Sequence, residues 1–213
     1  MEKNSVGLLA YVRSVIGTPY VYGTKMELLT IEKFNSLQST YGKSLVWDSD
    51  ADKIGKVCCD CSGLISSYTG IVRSSSGYKD SAISTAPIST IKDAPLGALV
   101  WMNGHIGVYS GMKDGTPYYI AADGSAYNCR ESTLSNNKFT HWFLCADIKY
   151  IEEGGEEMRY NSVAEMPSWA QPTIQKLTKQ GILNGNDGSG NTLDLSLDMI
   201  RLLVINDRAG LYK

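Results

Sequence analysis

The stretch KVCCDCSGLISSY, running from Lys56 to Tyr68, holds three of the chain's five cysteines, Cys58, Cys59 and Cys61, within four residues. Three chemistries suit such a cluster: a metal knuckle, a redox pair, or a catalytic thiol. Cys58 and Cys61 form C-x-x-C, but a redox motif of that kind belongs in a thioredoxin-like βαβ unit, and nothing before Cys58 reads as a buried strand. A structural zinc site needs a second ligand pair at compact spacing. Cys129 and Cys145 lie far apart, and the two histidines, His105 and His141, are not paired at helical spacing. Neither a metal nor a cofactor is therefore expected. For the third chemistry, a thiol attacks as thiolate, and the unpaired N–H groups of a helix N-terminus favour that charge. Leu64, Ile65 and Tyr68 fit one helical face, so Asp60-Cys61-Ser62-Gly63 stands where a loop enters a helix. Cys61 is the best placed of the three thiols.

A cysteine nucleophile needs a base within hydrogen-bond reach. His105 opens the run HIGVYS after a tight Asn103-Gly104 turn. At the start of a core strand its ring can stand at the sheet edge while Ile106 and Val108 fill the opposite face. Alone, a histidine on a strand or a single cysteine is more often structural. The pair reverses that weighting.

The surrounding chain sets the frame. With 213 residues, 43% hydrophobic and 20% charged, it has the composition of a globular protein with one good core and room for a small second one. A net charge of -2 predicts no general attraction to nucleic acid or anionic membranes. No apolar run approaches the roughly 20 residues of a membrane helix. The start, MEKNSVGLLAYVRSVIGTPY, reads as an amphipathic helix, with Val6, Leu9, Ala10, Val12, Val15 and Ile16 at helical spacing, rather than as a signal peptide. The expectation is a chain made and folded in the cytosol, without a disulfide framework.

A second helix is predicted over Ile31–Ser39, capped by Thr30, with Ile31, Phe34 and Leu37 inward. From Ala94 the texture turns to strands: GALVWM, HIGVYSG and PYYIAAD, then stretches near Thr140–Leu144 and Asp147–Ile151. Helices first and antiparallel strands after them give an α+β domain over residues 1–150. The acidic, glycine-containing residues 151–160 read as a linker. Residues 161–213 read as a small helix–loop–helix module. One helix carries Trp169, Ile174 and Leu177 and stops at Gly181; the other carries Leu197, Ile200, Leu203 and Val204 and stops near Gly210. The intervening NGNDGSGNTLD, residues 184–194, fails as a calcium loop. With Asp187-Gly188 in register, Leu183 and Gly185 fall where oxygen ligands belong. An Asn/Gly turn accounts for it better.

GTPYVYG (17–23), CDCSGLI (59–65) and GALVWMNGHIGVYSG (97–111) resemble, in order and spacing, successive motifs of the NlpC/p-sixty family of cell-wall cysteine peptidases. The resemblance covers about residues 5–150. It implies a papain-like NlpC-type α+β fold, with the Cys61 helix packed on an antiparallel sheet bearing His105. The implied activity is hydrolysis of an amide bond in bacterial peptidoglycan stem peptides, most often between γ-D-glutamate and a diamino acid. By position, Cys61 resembles the nucleophile and His105 the base. Tyr20 resembles the tyrosine beside nucleophile and oxyanion. Asp60 and Ser62 resemble residues that receive the free amino end of the stem; simple helix capping is the equal alternative for both.

Two departures stand out. Residues 24–57 form an insertion, expected to be helical, either shaping substrate choice or decorating the surface. The strand position where the family's third polar residue orients the histidine is Ala121 here. Asp123 shares its face two residues on and is the candidate substitute; otherwise it begins the turn at Gly124, and a backbone carbonyl or water holds the ring. His141 is not expected to act, and Cys58, Cys59, Cys129 and Cys145 are expected to be small buried residues. The tail after Met158 resembles modules that follow lytic domains in phage and prophage enzymes, with wall targeting and homo-dimer formation both open. The expectation is a peptidoglycan hydrolase of the phage or prophage lysin kind, acting at the cell wall after release. The alternatives are a non-catalytic wall-binding protein, an N-acetylmuramoyl-L-alanine amidase on the same fold, or an acyltransferase.

Overall fold

The computed structural model describes residues 3–150, 159–185, 188 and 192–212, so most of the expected linker at 151–160 and the centre of the 184–194 loop lie outside the described residues. The chain divides into two compact units, Met1–Glu153 and Gly154–Lys213.

The first unit is α+β, as expected. Its helices are α1 (Ser5–Ser14), α2 (Ile31–Tyr41), α3 (Cys61–Thr69) and α4 (Ser75–Asp80). Its strands are β1 (Lys25–Leu28), β2 (Val57–Cys59), β3 (Ala82–Pro87), β4 (Leu99–Met102), β5 (His105–Lys113), β6 (Thr116–Ala122), β7 (Cys129–Thr133) and β8 (His141–Cys145). Six of these form one antiparallel sheet in the order β3-β8-β4-β5-β6-β7. Alternation divides its side chains between two faces. Leu99, Ile106, Val108, Ile120 and Phe143 pack with Leu8, Leu9 and Val12 of α1, Leu64 and Ile65 of α3, and Tyr78 of α4. Val100, Tyr109, Tyr119, Ala121 and Trp142 form the other face, closed by Ile91, Leu134 and Phe139 from short 3-10 turns and loops.

The β5–β6 hairpin fixes what faces what. Its two-residue turn, Asp114-Gly115, has φ of 49° and 76°, the mirror-image turn that matches strand twist. Near the turn, Lys113 pairs with Thr116 and Gly111 with Tyr118. A bulge at Ser110 then shifts the register, so that Tyr109 pairs with Tyr119 and Val108 with Ile120. Continued three residues further, that register sets Asp123 opposite His105.

Several expectations need correction. In α1 the buried set is Ser5, Leu8, Leu9 and Val12, while Val6 and Ile16 are exposed. Small Ser5 takes the inward place because the chain at Gly97 passes against it, where even a Cβ would come within 2.7 Å of the Ser5 carbonyl. Thr30 caps α2 through the Lys33 N–H, and Phe34 and Leu37 are buried, but Ile31 is exposed. The stretch 147–151 is not a strand in its described part. It is a turn ending in a single parallel bridge between Asn4 and Lys149. Residues 24–57 are only partly helical. β1 and β2 pair antiparallel, a 3-10 turn covers Asp48–Lys53, and Val21, Leu29, Phe34, Leu37, Val46 and Cys58 make a small core of their own.

Among its described residues the second unit has two helices and a two-stranded ladder that the sequence did not suggest. β9 (Arg159–Tyr160) pairs with β10 (Leu195–Ser196), and α5 (Gln171–Lys179) and α6 (Leu197–Arg208) pack around Tyr160, Met166, Ala170, Ile174, Leu195, Ile200 and Val204. Trp169 precedes α5 and is exposed.

Candidate active site

Cys61 is the first residue of α3. Asp60 caps the helix, its Oδ1 accepting from the Gly63 N–H at 2.6 Å and from the Ser62 hydroxyl at 3.0 Å. Its Oδ2 accepts from the Gly23 N–H at 2.9 Å and lies 3.7 Å from Lys25 Nζ. Asp60 and Ser62 are thus buried and bonded to the chain itself. The helix can enter so close to β1 because position 63 is glycine: a Cβ there would lie 2.2 Å from the Thr24 carbonyl oxygen.

The thiol differs from the expectation of an acidified group. Burial and the Asp60 carboxylate push the Cys61 pKa up to about 12, against the backbone amides of Ile106 and Ser62 and the charge of Lys25, which pull it down. The helix N-terminus acts in the expected direction but is outweighed by desolvation. At neutral pH the resting group is a neutral thiol.

His105 opens β5, and the amide that reaches the Cys61 thiol belongs to the next residue, Ile106. Its ring stacks on Phe139, centroids 5.6 Å apart and planes 18° apart. Its Nε2 lies 3.0 Å from Asp123 Oδ1. The carboxylate has four donors around it. Oδ2 accepts from the Tyr119 hydroxyl and from Arg130 Nε, both at 2.7 Å, and Oδ1 also accepts from Asn137 Nδ2 at 3.2 Å. Burial alone would raise the Asp123 pKa, but the hydrogen bonds from His105, Arg130 and Tyr119 hold it below the ordinary carboxylate value. An ionised Asp123 fixes the proton on Nε2, leaving Nδ1 as the basic nitrogen. Nδ1 has no hydrogen-bond partner among the described residues, and no hydrogen bond joins the thiol to the ring.

Tyr20 packs against the core cluster that contains Cys61. Burial raises its hydroxyl pKa, and the neighbouring Cys61 and Asp60 add to the effect, so it stays a donor. Its backbone is pinned on both sides: the N–H donates to Asn128 Oδ1 at 3.2 Å, and the carbonyl accepts from Lys53 Nζ at 2.7 Å. The same ammonium donates to the Ser125 carbonyl at 2.9 Å and to Asp50 Oδ1 at 2.8 Å. Asp50 also accepts from the Trp47 N–H and the Ser125 hydroxyl. The Asp50–Lys53 ion pair therefore ties the Tyr20 loop to the loop that follows Asp123.

The structure brings Cys61, Tyr20, Asp60 and Ser62 together, and Asp123 against His105. Ala121 faces Gly107 in the sheet, two residues from the ring. His141 is elsewhere, bonded through Nδ1 to the Thr140 hydroxyl, and the four other cysteines are buried, as expected. Sequence reading missed Tyr119, Arg130, Asn137 and Phe139 around Asp123 and His105, and the Asp50–Lys53 pair. Only the aromatic character of β6 signalled any of them.

No protein-family model matches the chain, and no curated protein does. Among the solved structures that resemble it are two domains. One is the P60 domain of an antigen from M. avium subspecies paratuberculosis, at TM-score 0.45 and 22% sequence identity, over 68% of this chain and 96% of that one. The other is the NlpC/p60 domain of the peptidoglycan hydrolase SagA, at TM-score 0.41 and 19% identity, over 66% of this chain and 98% of that one.

Proposed function

We propose that the chain is a cysteine peptidase of bacterial peptidoglycan stem peptides, cutting the bond between γ-D-glutamate and a diamino acid. The observation that carries this reading is the pairing of His105 Nε2 with Asp123 Oδ1 at 3.0 Å, on the strand whose next amide meets the Cys61 thiol. That pairing supports a catalytic site over a degenerate, binding-only domain, the alternative that the alanine at position 121 favoured.

Because the resting thiol is neutral, proton transfer accompanies attack. His105 Nδ1 takes the Cys61 proton as Sγ bonds to the scissile carbonyl carbon, and Asp123 stabilises the imidazolium. The hydroxyl of Tyr20 and the amides beside Cys61 are the donors available to the developing oxyanion. Collapse of the tetrahedral adduct breaks the C–N bond. The imidazolium gives its proton to the leaving amine, and the acyl group remains as a Cys61 thioester. Water, deprotonated by His105, then releases the carboxylate and restores the thiol. The thiol–imidazole contact that this chemistry requires tightens on substrate binding, as such contacts commonly do. The small C-terminal unit serves as a wall-targeting or dimerising module, and the chain acts at the wall as a lysin.

The test is mass spectrometry of purified muropeptides carrying meso-diaminopimelate or lysine, after incubation with the wild type and with Cys61→Ala. Cleavage by the wild type alone, with product masses that place the cut after the γ-D-glutamyl residue, is the expected result. No cleavage of any stem by freshly reduced wild type overturns the reading.

A further inference from the structure

One ammonium stands beside the nucleophile, and the catalytic scheme above does not use it. Lys25 pairs across the β1–β2 ladder with Cys59, and its Nζ lies 3.7 Å from Asp60 Oδ2. That separation is an ion pair but longer than a hydrogen bond. Asp60 does not depend on it, since Ser62, Gly63 and Gly23 already donate to its two oxygens. The Lys25 ammonium makes no hydrogen bond to any described residue, and the side chain is 29% exposed. A charged donor is thus held beside Asp60, the residue before the nucleophile, with its three protons left for solvent or substrate.

The backbone is built to hold it there. β1 breaks register between Lys25 and Glu27, and Met26 at the break has φ of 61°, a conformation L side chains rarely adopt. The Lys25 N–H turns to Glu27 Oε1, and the Met26 side chain packs on the core that contains Cys61. Strain of this kind persists only where the surroundings enforce it, and it clusters at functional sites.

We propose that Lys25 is a specificity-determining residue that recognises a carboxylate next to the scissile bond, and that the preferred substrates are stems whose D-glutamyl α-carboxyl is free rather than amidated. The inference rests on the γ-D-glutamyl bond named above. In that linkage the main chain leaves through the side-chain carboxyl, so the α-carboxylate hangs as a branch two methylenes and one carbon from the carbonyl that Cys61 attacks. A side chain flanking the thiol is within reach of it. The ion pair with Asp60 holds the ammonium in place without occupying its donors. Amidation of the branch removes the charge and presents an N–H2 group to an ammonium that has nothing to accept with.

The experiment compares two purified muropeptides identical except for carboxylate or carboxamide at that branch. kcat/KM is measured for the wild type, Lys25→Met and Lys25→Arg. A charge-assisted hydrogen bond of ordinary strength predicts a wild-type preference for the carboxylate of about 10- to 100-fold. Lys25→Met should lose the preference by slowing the carboxylate substrate about 10- to 100-fold more than the amide, and Lys25→Arg should keep it. Cleavage of both substrates by the wild type within a factor of two, or faster cleavage of the amide, overturns the inference while leaving the peptidase reading intact. Equal slowing of both substrates in Lys25→Met overturns it too, because it assigns the lysine to the thiol or the fold. Cleavage of neither by the wild type overturns the peptidase reading and this inference with it. The wild-type comparison needs no variant to fold.

Discussion

Replacing Lys53 with methionine isolates the contribution of residues 24–57. Methionine keeps the apolar stem and removes the ammonium, and with it three hydrogen bonds of 2.7, 2.8 and 2.9 Å. The partner Asp50 has a side chain only 1% exposed and would keep two donors, the Trp47 N–H and the Ser125 hydroxyl, for a full buried charge. Breaking a buried pair by removing one member costs about 3–5 kcal/mol, most of it the unpaired charge. For a chain of this length, each kcal/mol corresponds to about 2–4 °C in Tm, so Lys53→Met should melt lower by roughly 6–20 °C. The same segment supplies a control: Lys43 and Asp48 are 70% and 69% exposed, and Lys43→Met should cost less than about 1 kcal/mol. Adding Asp50→Asn to Lys53→Met removes the stranded charge and should recover about 2 kcal/mol, within the range of coupling seen for contacting residues. Calorimetry of the full chain measures all four proteins. A Lys53→Met loss no larger than the Lys43→Met loss, or a double variant no more stable than Lys53→Met, would refute the assignment of Lys53 and Asp50 as a buried clamp.

Asp123→Asn should lower kcat by about 10²–10⁴-fold with little change in KM, because an amide facing Nε2 no longer selects the tautomer with a basic Nδ1; turnover within threefold of wild type would show that other groups orient His105. A Cys61 pKa raised to about 12 means the thiol is protonated throughout the neutral range. Its alkylation by iodoacetamide, followed by peptide mapping, should therefore accelerate about tenfold per pH unit from 6 to 9; a rate already level at pH 6 would reveal a preformed thiolate instead. Gly63→Ala forces a Cβ against the Thr24 carbonyl and should cost about 1–3 kcal/mol as overpacking. Gly77→Ala, also helical but with its nearest contacts at 3.4 Å, should be neutral or stabilising by about 0.5–1 kcal/mol, and equal losses at the two positions would undo the comparison.

What was legible in the sequence was local. Cys61 and His105 announce themselves because each sits in a short motif whose structure is set by its own neighbours: a cap and a helix start for one, a tight turn and an apolar strand for the other. Edge strands were not legible. β3 reads AISTAP and β7 reads CREST, with too little apolar alternation to distinguish them from loops, since each borrows its place from a neighbour in the sheet. The third residue was half legible. Side-chain alternation places Asp123 on the face of Ala121, but only the pairing register shows that it meets the ring. The Asp50–Lys53 clamp was not legible at all. It joins residues 20, 50, 53 and 125, and no periodicity relates a short 3-10 turn to a loop about seventy residues away.

The single extra residue at Ser110 bears on how such a site diversifies. Were β5 uniform from its turn to its end, the register beside Asp114-Gly115 would carry through and set Gly124, which has no side chain, opposite His105. Asp123 would point to the other side of the sheet. One residue gained or lost in the hairpin therefore exchanges the group that holds the imidazole, without any change at the acceptor position itself. Comparing columns of aligned letters would score such an event as loss of a catalytic group followed by degeneration. Counting along the ladder shows which side chain meets the ring, because one residue in the hairpin moves the whole of β6 past His105.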